Sequence, residues 1–121
     1  MTRAPSTPPD GDPRRALEEL GRYAGSATLV LSSLADGEKH GYALIQDVEA
    51  FAGVRLAPGT LYEALARLER QGLIEALAPV GRRRPYRLTT AGERVLRAHL
   101  AGQRRVAEVG LSRLGIRGAI A

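Results

Sequence analysis

The residues of this sequence that are best suited to chemistry are arginines, and they are concentrated near its end. Residues 76–121 hold ten arginines and only two acidic side chains, whereas residues 1–75 hold eight basic and eleven acidic side chains. Three of the arginines, Arg82 to Arg84, are consecutive. Guanidinium groups bind phosphate oxygens in a bidentate manner, so a segregated arginine-rich surface favours a polyanionic partner. By charge alone, a solvated basic face fits the sequence equally well.

Residues that could support catalysis or hold a metal ion are absent or isolated in the sequence. The chain has no cysteine, which excludes disulfides and thiolate metal sites. Its two histidines, His40 and His99, have no partner at the spacing of metal ligands and are interpreted as ordinary polar residues. No nucleophile with an adjacent base, phosphate-binding glycine loop or carboxylate pair is evident. We therefore expect neither an enzyme nor a bound cofactor or metal.

Helical patterns with short connections follow an N-terminal stretch that is rich in proline. Three consecutive short helices indicate a helix-turn-helix, and residues 54–57 fit either a short strand or an extended link. Two stripes at helical spacing are expected to face the core: Leu44, Ile45, Val48, Phe51 and Ala52, and then Leu61, Ala64, Leu65 and Leu68. The predicted helices are Pro13 to Tyr23, capped by Asp12; Ser26 to Leu34, capped by Ser26; His40 to Ala52, ending at Gly53; and Pro58 to Gln71, ending at Gly72.

The residue pattern changes from helical to alternating after Gly72, which predicts two strands. Apolar residues alternate with others over residues 74–80, and residues 86–88 form a second short alternating run. Arg82 to Arg84 lie between the runs and predict a basic hairpin loop. A hairpin directly after the third helix of a helix-turn-helix is where a wing belongs. Three consecutive arginines beside a recognition helix favour DNA contact over a solvated turn.

A long helix is predicted to follow the hairpin, with either Thr89 or Thr90 as its N-cap, and to reach about Leu114. Its apolar residues form one continuous stripe that extends beyond what a small winged domain can cover. We expect this stripe to form a dimer interface, with apolar residues of segment 16–23 packed against it. The residues assigned to the interface are Leu17, Leu20, Leu96, Leu100, Ala107, Leu111 and Leu114.

Five short motifs in register resemble the PadR family of transcriptional regulators, over roughly residues 29–100. The motifs are His40-Gly41-Tyr42, Gly59-Thr60-Leu61-Tyr62, Arg67-Leu68-Glu69, Gly72-Leu73-Ile74, and Tyr86-Arg87-Leu88-Thr89 with Gly92. The resemblance, to the branch with a small C-terminal domain, implies a winged helix-turn-helix and a dimer formed through the last helix. It also implies repression of a nearby operon, often relieved by a small-molecule effector. Two positions depart from the family pattern: Ala57 stands where a capping serine is common, and Pro85 interrupts the basic run, so the wing tip is expected to differ in shape.

The helix that begins at Pro58 is expected to enter the major groove with its first turn facing the bases. Gly59 fits a tight turn and a close approach of the backbone to phosphate equally well. Tyr62 lies off the leucine stripe, which favours DNA contact over packing, whereas Tyr42 fits a phosphate contact and a structural role equally well. Glu63 either repels phosphate or accepts from a cytosine amino group. The residues assigned to DNA are Tyr42, Pro58, Gly59, Thr60, Tyr62, Arg67, Arg82, Arg83 and Arg84.

The sequence therefore predicts a mainly α-helical fold with a small β-hairpin: a winged helix-turn-helix followed by a dimerisation helix. Residues 1–12 are expected to form a disordered tail, residues 13–88 the DNA-binding domain with its N-terminal helix, and residues 89–121 the dimerisation helix and tail. No signal peptide or membrane span is evident, so a bacterial, cytoplasmic repressor is expected. The expected partners are double-stranded DNA at a palindromic operator, a second copy of the chain and, as the resemblance implies, a small-molecule effector. The alternative is a winged-helix module that binds protein rather than DNA.

Overall fold

The computed structural model describes residues 25–120, except for the side chains of residues 117–120. Within this range the architecture is mainly helical with one small antiparallel sheet, as the sequence predicts. The predicted tail, the helix at residues 13–23 and the interface residues Leu17 and Leu20 lie outside the described residues. The elements in chain order are α1 (Ser26–Leu34), β1 (Lys39–His40), α2 (Gly41–Ala52), α3 (Pro58–Arg70), β2 (Ile74–Ala76), β3 (Pro85–Leu88) and α4 (Thr90–Ile120).

The core lies between α1, α2 and α3, and the start of α4 closes one side of it. The predicted stripe of α3 is buried as expected. The stripe of α2 is buried only in part: Phe51 is 51% exposed, at the open groove between α1 and α2, and Ala52 is also exposed. The expectation that these two residues face the core was therefore wrong. The core residues are Val30, Leu31, Leu34, Leu44, Val48, Leu56, Leu61, Ala64, Leu65, Leu68, Ile74 and Leu96.

Glycine residues mark the ends of the first two helices. The N-cap of α1 is Gly25, with a φ of 118°, and Ser26 is already helical, so the predicted cap at Ser26 was wrong. A side-chain cap needs an extended backbone at the capping residue, which Ser26 does not have. Gly53 ends α2 in the left-handed conformation, with a φ of 68°, as predicted. Residues 54–57 form the extended link rather than a strand.

The sheet has the order β1-β3-β2, so β3 is its central strand. Strand β1 was not predicted from the sequence, because a two-residue strand held by main-chain pairing has no alternating pattern to detect. Pro85 is tolerated because it is the first residue of β3, where it lies opposite His40. The predicted first wing strand is shorter than expected and ends at Ala76, although Val80 still forms a bridge with Arg83.

Four polar residues tie α1 to β1 and α2. The hydroxyl group of Ser33, which is buried, donates to Oδ2 of Asp47 at 2.6 Å. Lys39 donates to the carbonyl oxygen of Ser33 and pairs with Asp36, and its Nζ lies 4.0 Å from Oδ2 of Asp47. The hydrogen bond from the Lys39 ammonium, with its positive charge, lowers the pKa of the Asp36 carboxyl group. This network fixes the strand that leads into α2.

The start of α4 is joined to the end of α3 by a close backbone contact. The Thr89 hydroxyl accepts from the N–H of Gly92 at 3.0 Å, which identifies Thr89 rather than Thr90 as the N-cap. The same hydroxyl donates to the carbonyl oxygen of Gly72 at 2.7 Å. A Cβ atom on the buried Gly92 would overlap the carbonyl oxygen of Leu73. The orientation of α4 is therefore fixed directly against the turn that ends α3.

Candidate nucleic-acid interface

The first turn of α3 projects an exposed, uncapped helix start. Pro58, Gly59 and Thr60 are all exposed. The N-cap residue Ala57 offers no side-chain acceptor, as the sequence indicated, so the first-turn N–H groups lack a side-chain partner. Gly59 has no positive φ and lies in helical backbone, and a Cβ atom added there would meet nothing within 4 Å. This geometry does not need glycine for a tight turn, and it leaves the backbone open to a close approach.

Two tyrosines flank this helix start. Tyr62 is 55% exposed and Tyr42, in the first turn of α2, is also exposed, so neither packs in the core. The hydroxyl group of Tyr62 lies 2.7 Å from the point that a Cβ atom on Gly41 would occupy. The absence of a side chain at Gly41 therefore lets Tyr62 lie across the start of α2.

The wing brings its three arginines to the same side of the molecule in different roles. Gly81 forms the turn with a φ of 63°, and Val80 and Arg83 exchange two backbone hydrogen bonds at 2.7 and 3.1 Å across it. Arg84 donates to the carbonyl oxygen of Leu77 at 3.0 Å, which braces the hairpin. Arg82 is exposed and has no hydrogen bond or ion pair to another described residue. The wing tip thus presents Arg82 and Arg83 to solvent, while Arg84 has a structural contact.

A cleft of about 320 Å³ lies between α2, α3 and the wing. Tyr86 on β3 is half-buried at this cleft, and burial raises the pKa of its hydroxyl group, with the Glu69 carboxylate acting in the same direction. The cleft is lined by His40, Gly41, Tyr42, Tyr62, Arg82, Arg83, Arg84 and Tyr86. The structure thus places five of the nine residues assigned to DNA around one cavity.

Arg67 lies further along α3, on its exposed side. Its guanidinium NH2 is 3.4 Å from Oε1 of Glu63, one helical turn earlier. Both side chains are exposed, so this pair is weak and can open when a partner approaches. Glu63 pairs with Arg67 and is not among the residues that line the cleft.

His40 and Tyr86 were not among the residues assigned to DNA. The ring of His40 caps α2, because its Nδ1 accepts from the N–H of Ala43 at 3.3 Å. Its Nε2 lies 3.3 Å from NH1 of Arg83 in the wing. The interpretation of His40 as an ordinary polar residue missed this contact, since position 83 is far from position 40 in the sequence. His40 and Tyr86 each lie in one of the five motifs, and this was the feature of the sequence that could have identified them.

Helix α4 extends well past the core and exposes apolar side chains. Leu96 is only 4% exposed and packs in the core of its own chain, so it anchors α4 rather than extending the exposed stripe. Beyond it, Leu111 is 70% and Leu114 is 64% exposed, on the same face as Leu100. The helix ends at Ile120 rather than near Leu114. Ala107 is also exposed, and the other large apolar residues of α4 that the structure shows as exposed are Val95, Val106, Val109 and Ile116.

The helices between residues 25 and 120 were compared with the requirements for crossing a membrane. None of them combines the length and the apolar composition that a bilayer crossing requires. Even the 31-residue α4 carries charged side chains along its length.

Comparison with known proteins gives consistent results. A 68-residue stretch is 53% identical to an uncharacterized 37.1 kDa protein of a Streptomyces fradiae transposon, of which it spans only 20%. Over 82 residues the chain is 45% identical to the transcriptional regulator Rv3488 of Mycobacterium tuberculosis, covering 65% of this chain and 72% of that protein. The crystal structure of a PadR family transcriptional regulator from Eggerthella lenta superimposes with a TM-score of 0.68 at 34% identity, covering 85% of this chain and 92% of that one. Residues 30–98 match the model of the transcriptional regulator PadR-like family. The chain belongs to the PadR-like family of transcriptional regulators.

Proposed function

We propose that this regulator binds double-stranded DNA as a homodimer and represses transcription from a palindromic operator. Helix α3 enters the major groove with Thr60 and Tyr62 near the bases, and Arg67 contacts DNA further along the groove. Arg82 and Arg83 of the wing contact neighbouring phosphates or the minor groove. The observation that carries this proposal is the shared cleft, because it joins Tyr62 of α3 and the start of α2 to the arginine-rich wing on one exposed surface.

The charges and helix ends on this surface support phosphate binding. The uncapped N–H groups at the start of α3 and the positive end of the helix dipole favour an anion. Arg82 and Arg83 add two guanidinium groups to the lining of the cleft. A module that binds protein instead would not need arginines at its wing tip, so this alternative is left as an outcome of the test.

The dimer is proposed from the exposed face of α4. A single recognition helix reads only a few base pairs, and a second copy doubles the site and makes it palindromic. Leu100, Leu111 and Leu114 form an apolar stripe along α4 that is mostly exposed in the single chain. Exposed apolar stripes of this length mark protein interfaces. Leu17 and Leu20 of the N-terminal segment belong to the same proposed interface.

Repression and its relief by a small-molecule effector are proposed from the family. Such an effector would act by changing the angle between the two recognition helices of the dimer. The junction of Thr89 with Gly72 supports this route, because it joins α4 to the end of α3 through a 2.7 Å hydrogen bond. A shift of α4 would therefore be transmitted to α3.

Binding to DNA fragments from the region of the protein's own gene tests the proposal. Fluorescence anisotropy should show saturable binding to one fragment that is at least about a thousandfold tighter than binding to a random duplex. The double variant Arg82→Ala/Arg83→Ala should bind both the specific fragment and the random duplex more weakly. The matched control, Arg94→Ala/Arg97→Ala, removes the same charge from α4 and should leave binding close to wild type. Equal, weak binding to every duplex would exclude an operator function and favour the protein-binding alternative.

A further inference from the structure

The hydrogen bonds of His40 determine which of its ring nitrogens carries the proton. The backbone N–H of Ala43 can only donate, and it points at Nδ1 from 3.3 Å. Nδ1 must therefore be the unprotonated nitrogen of a neutral ring. In that tautomer the proton is on Nε2, which becomes a hydrogen-bond donor.

The group beside that donor is a second donor. NH1 of Arg83 lies 3.3 Å from Nε2, and a guanidinium group has no acceptor. The two groups cannot hydrogen-bond each other in this tautomer, and neither N–H group has an acceptor among the described residues. Two donors this close can both reach a single oxygen atom at about 2.9 Å from each. The carboxylate of Glu38 lines the adjoining recess, without a described hydrogen bond to either residue.

We infer that His40 and Arg83 together bind one phosphodiester oxygen of the DNA backbone. This inference rests on the proposed function and adds a residue to it, a histidine at the start of α2 that acts together with the wing. The charge of Arg83 supplies the attraction, and the neutral ring of His40 fixes the position of the oxygen. Because the same ring caps α2, the phosphate is held at a fixed position relative to the helix-turn-helix.

Two substitutions separate the cap from the phosphate contact. In His40→Asn the side-chain oxygen occupies the place of Nδ1 and keeps the cap, but nothing replaces Nε2. In His40→Gln the side-chain amide reaches the place of Nε2 and the cap is lost. His99→Asn, on α4, is the matched control. Because phosphate contacts do not depend on sequence, a random duplex is a sufficient probe.

We expect His40→Asn to bind the duplex about tenfold more weakly than wild type, with an unchanged dependence on salt, because a neutral ring releases no counterion. Arg83→Ala should weaken binding and also lower the salt slope by about 0.9. His40→Asn should reduce the affinity for the duplex much less in the Arg83→Ala background than in the wild-type background, because both groups bind the same oxygen. His40→Gln should bind more tightly than His40→Asn despite a lower unfolding midpoint.

The contrary results are distinct. If wild type binds the duplex and His40→Asn binds it equally well, the inference is wrong and the proposed function stands. If wild type does not bind duplex DNA, the proposed function fails. Full additivity of the two substitutions would place the groups on separate phosphates and overturn the shared site. Inorganic phosphate that shifts the His40 ring resonances with sub-millimolar affinity would assign the pair to a free phosphate ligand instead.

Discussion

The hydroxyl group of Tyr62 lies across the backbone of Gly41, 2.7 Å from the point that a Cβ atom there would occupy. Tyr62 extends from the recognition helix α3, and Gly41 is the first residue of α2, so this contact joins the two helices at the proposed DNA surface. Any side chain at position 41 would displace the tyrosine ring. The His-Gly-Tyr and Gly-Thr-Leu-Tyr motifs, separate in the sequence, therefore form one surface in the fold.

Gly41→Ala should weaken DNA binding about as much as Tyr62→Ala does. The added methyl group moves the Tyr62 ring out of its position, while the flexible end of the side chain can move aside at little cost to stability. We therefore expect the free energy of unfolding to change by less than about 1 kcal/mol. Anisotropy with duplex DNA and urea denaturation measure the two effects.

The control for this prediction is the Tyr62→Ala background. There the alanine at position 41 has no ring to displace, so it should add almost nothing to the loss of binding. If it weakens binding equally in both backgrounds, then Gly41 acts through its own backbone, by a close approach to DNA, and not through Tyr62.

Replacing the wing arginines with alanine should affect DNA binding and the rigidity of the hairpin differently at Arg82 and at Arg84. Arg82→Ala should lower the slope of log K against log salt by about 0.9, because the exposed guanidinium has no other described partner. Arg84→Ala should also loosen the hairpin, since Arg84 braces it through Leu77. Faster amide exchange at residues 77–84 would report that loosening. The control is Arg87→Ala, which breaks only a pair with Glu75 on β2.

The helices of this fold could be predicted from the sequence because their burial follows one repeating period. The α3 stripe of Leu61, Leu65 and Leu68 is an example, and every member is buried. Phe51 was misplaced because periodicity identifies a face but does not show where a neighbouring helix ends. Strand β1 escaped prediction because a strand of two residues has no alternating pattern that a sequence could show.

The proposed site was predicted less completely than the helices. Arg82 and Tyr62 could be assigned from their type and their place in the motifs. The contact of His40 with Arg83 could not, since it depends on how the wing folds back over β1. The contact of Gly92 with Leu73 is also a tertiary feature, because a glycine inside a helical pattern gives no sign of a neighbouring carbonyl.

Gly92→Ala should destabilise the protein strongly. A Cβ atom there would overlap the carbonyl group of Leu73, which belongs to backbone that cannot move without shifting the end of α3. We expect a loss of about 3 kcal/mol in the free energy of unfolding. Gly102→Ala, in open space on the same helix, should instead stabilise by about 0.5–1 kcal/mol. Urea denaturation at one fixed protein concentration compares the variants, and equal effects would contradict the close contact.

Alanine at Thr60, Tyr62 or Arg67 should affect the operator more than other DNA. All three residues are exposed on α3, where base edges are within reach in the proposed complex. For each residue that reads a base, the alanine variant should lose about 1–3 kcal/mol of binding free energy on the operator and much less on a random duplex. Parallel anisotropy titrations on both duplexes measure the difference. If a variant loses the same affinity on both, that residue positions the protein and does not read sequence.

Aspartate at both Leu100 and Leu111 should separate the proposed dimer into monomers. The two residues lie on one face of α4, and an interface across this face would bury both new carboxylates without a partner. Light scattering should give the mass of a dimer for wild type at micromolar concentration and that of a monomer, 13.0 kDa, for the variant. Ala101→Asp/Ser112→Asp adds the same charges on another face of α4 and should stay dimeric. Operator binding should fall with dimerisation, because one recognition helix cannot hold a two-fold site. A monomeric wild type, or a dimeric Leu100→Asp/Leu111→Asp protein with normal binding, would place the interface elsewhere.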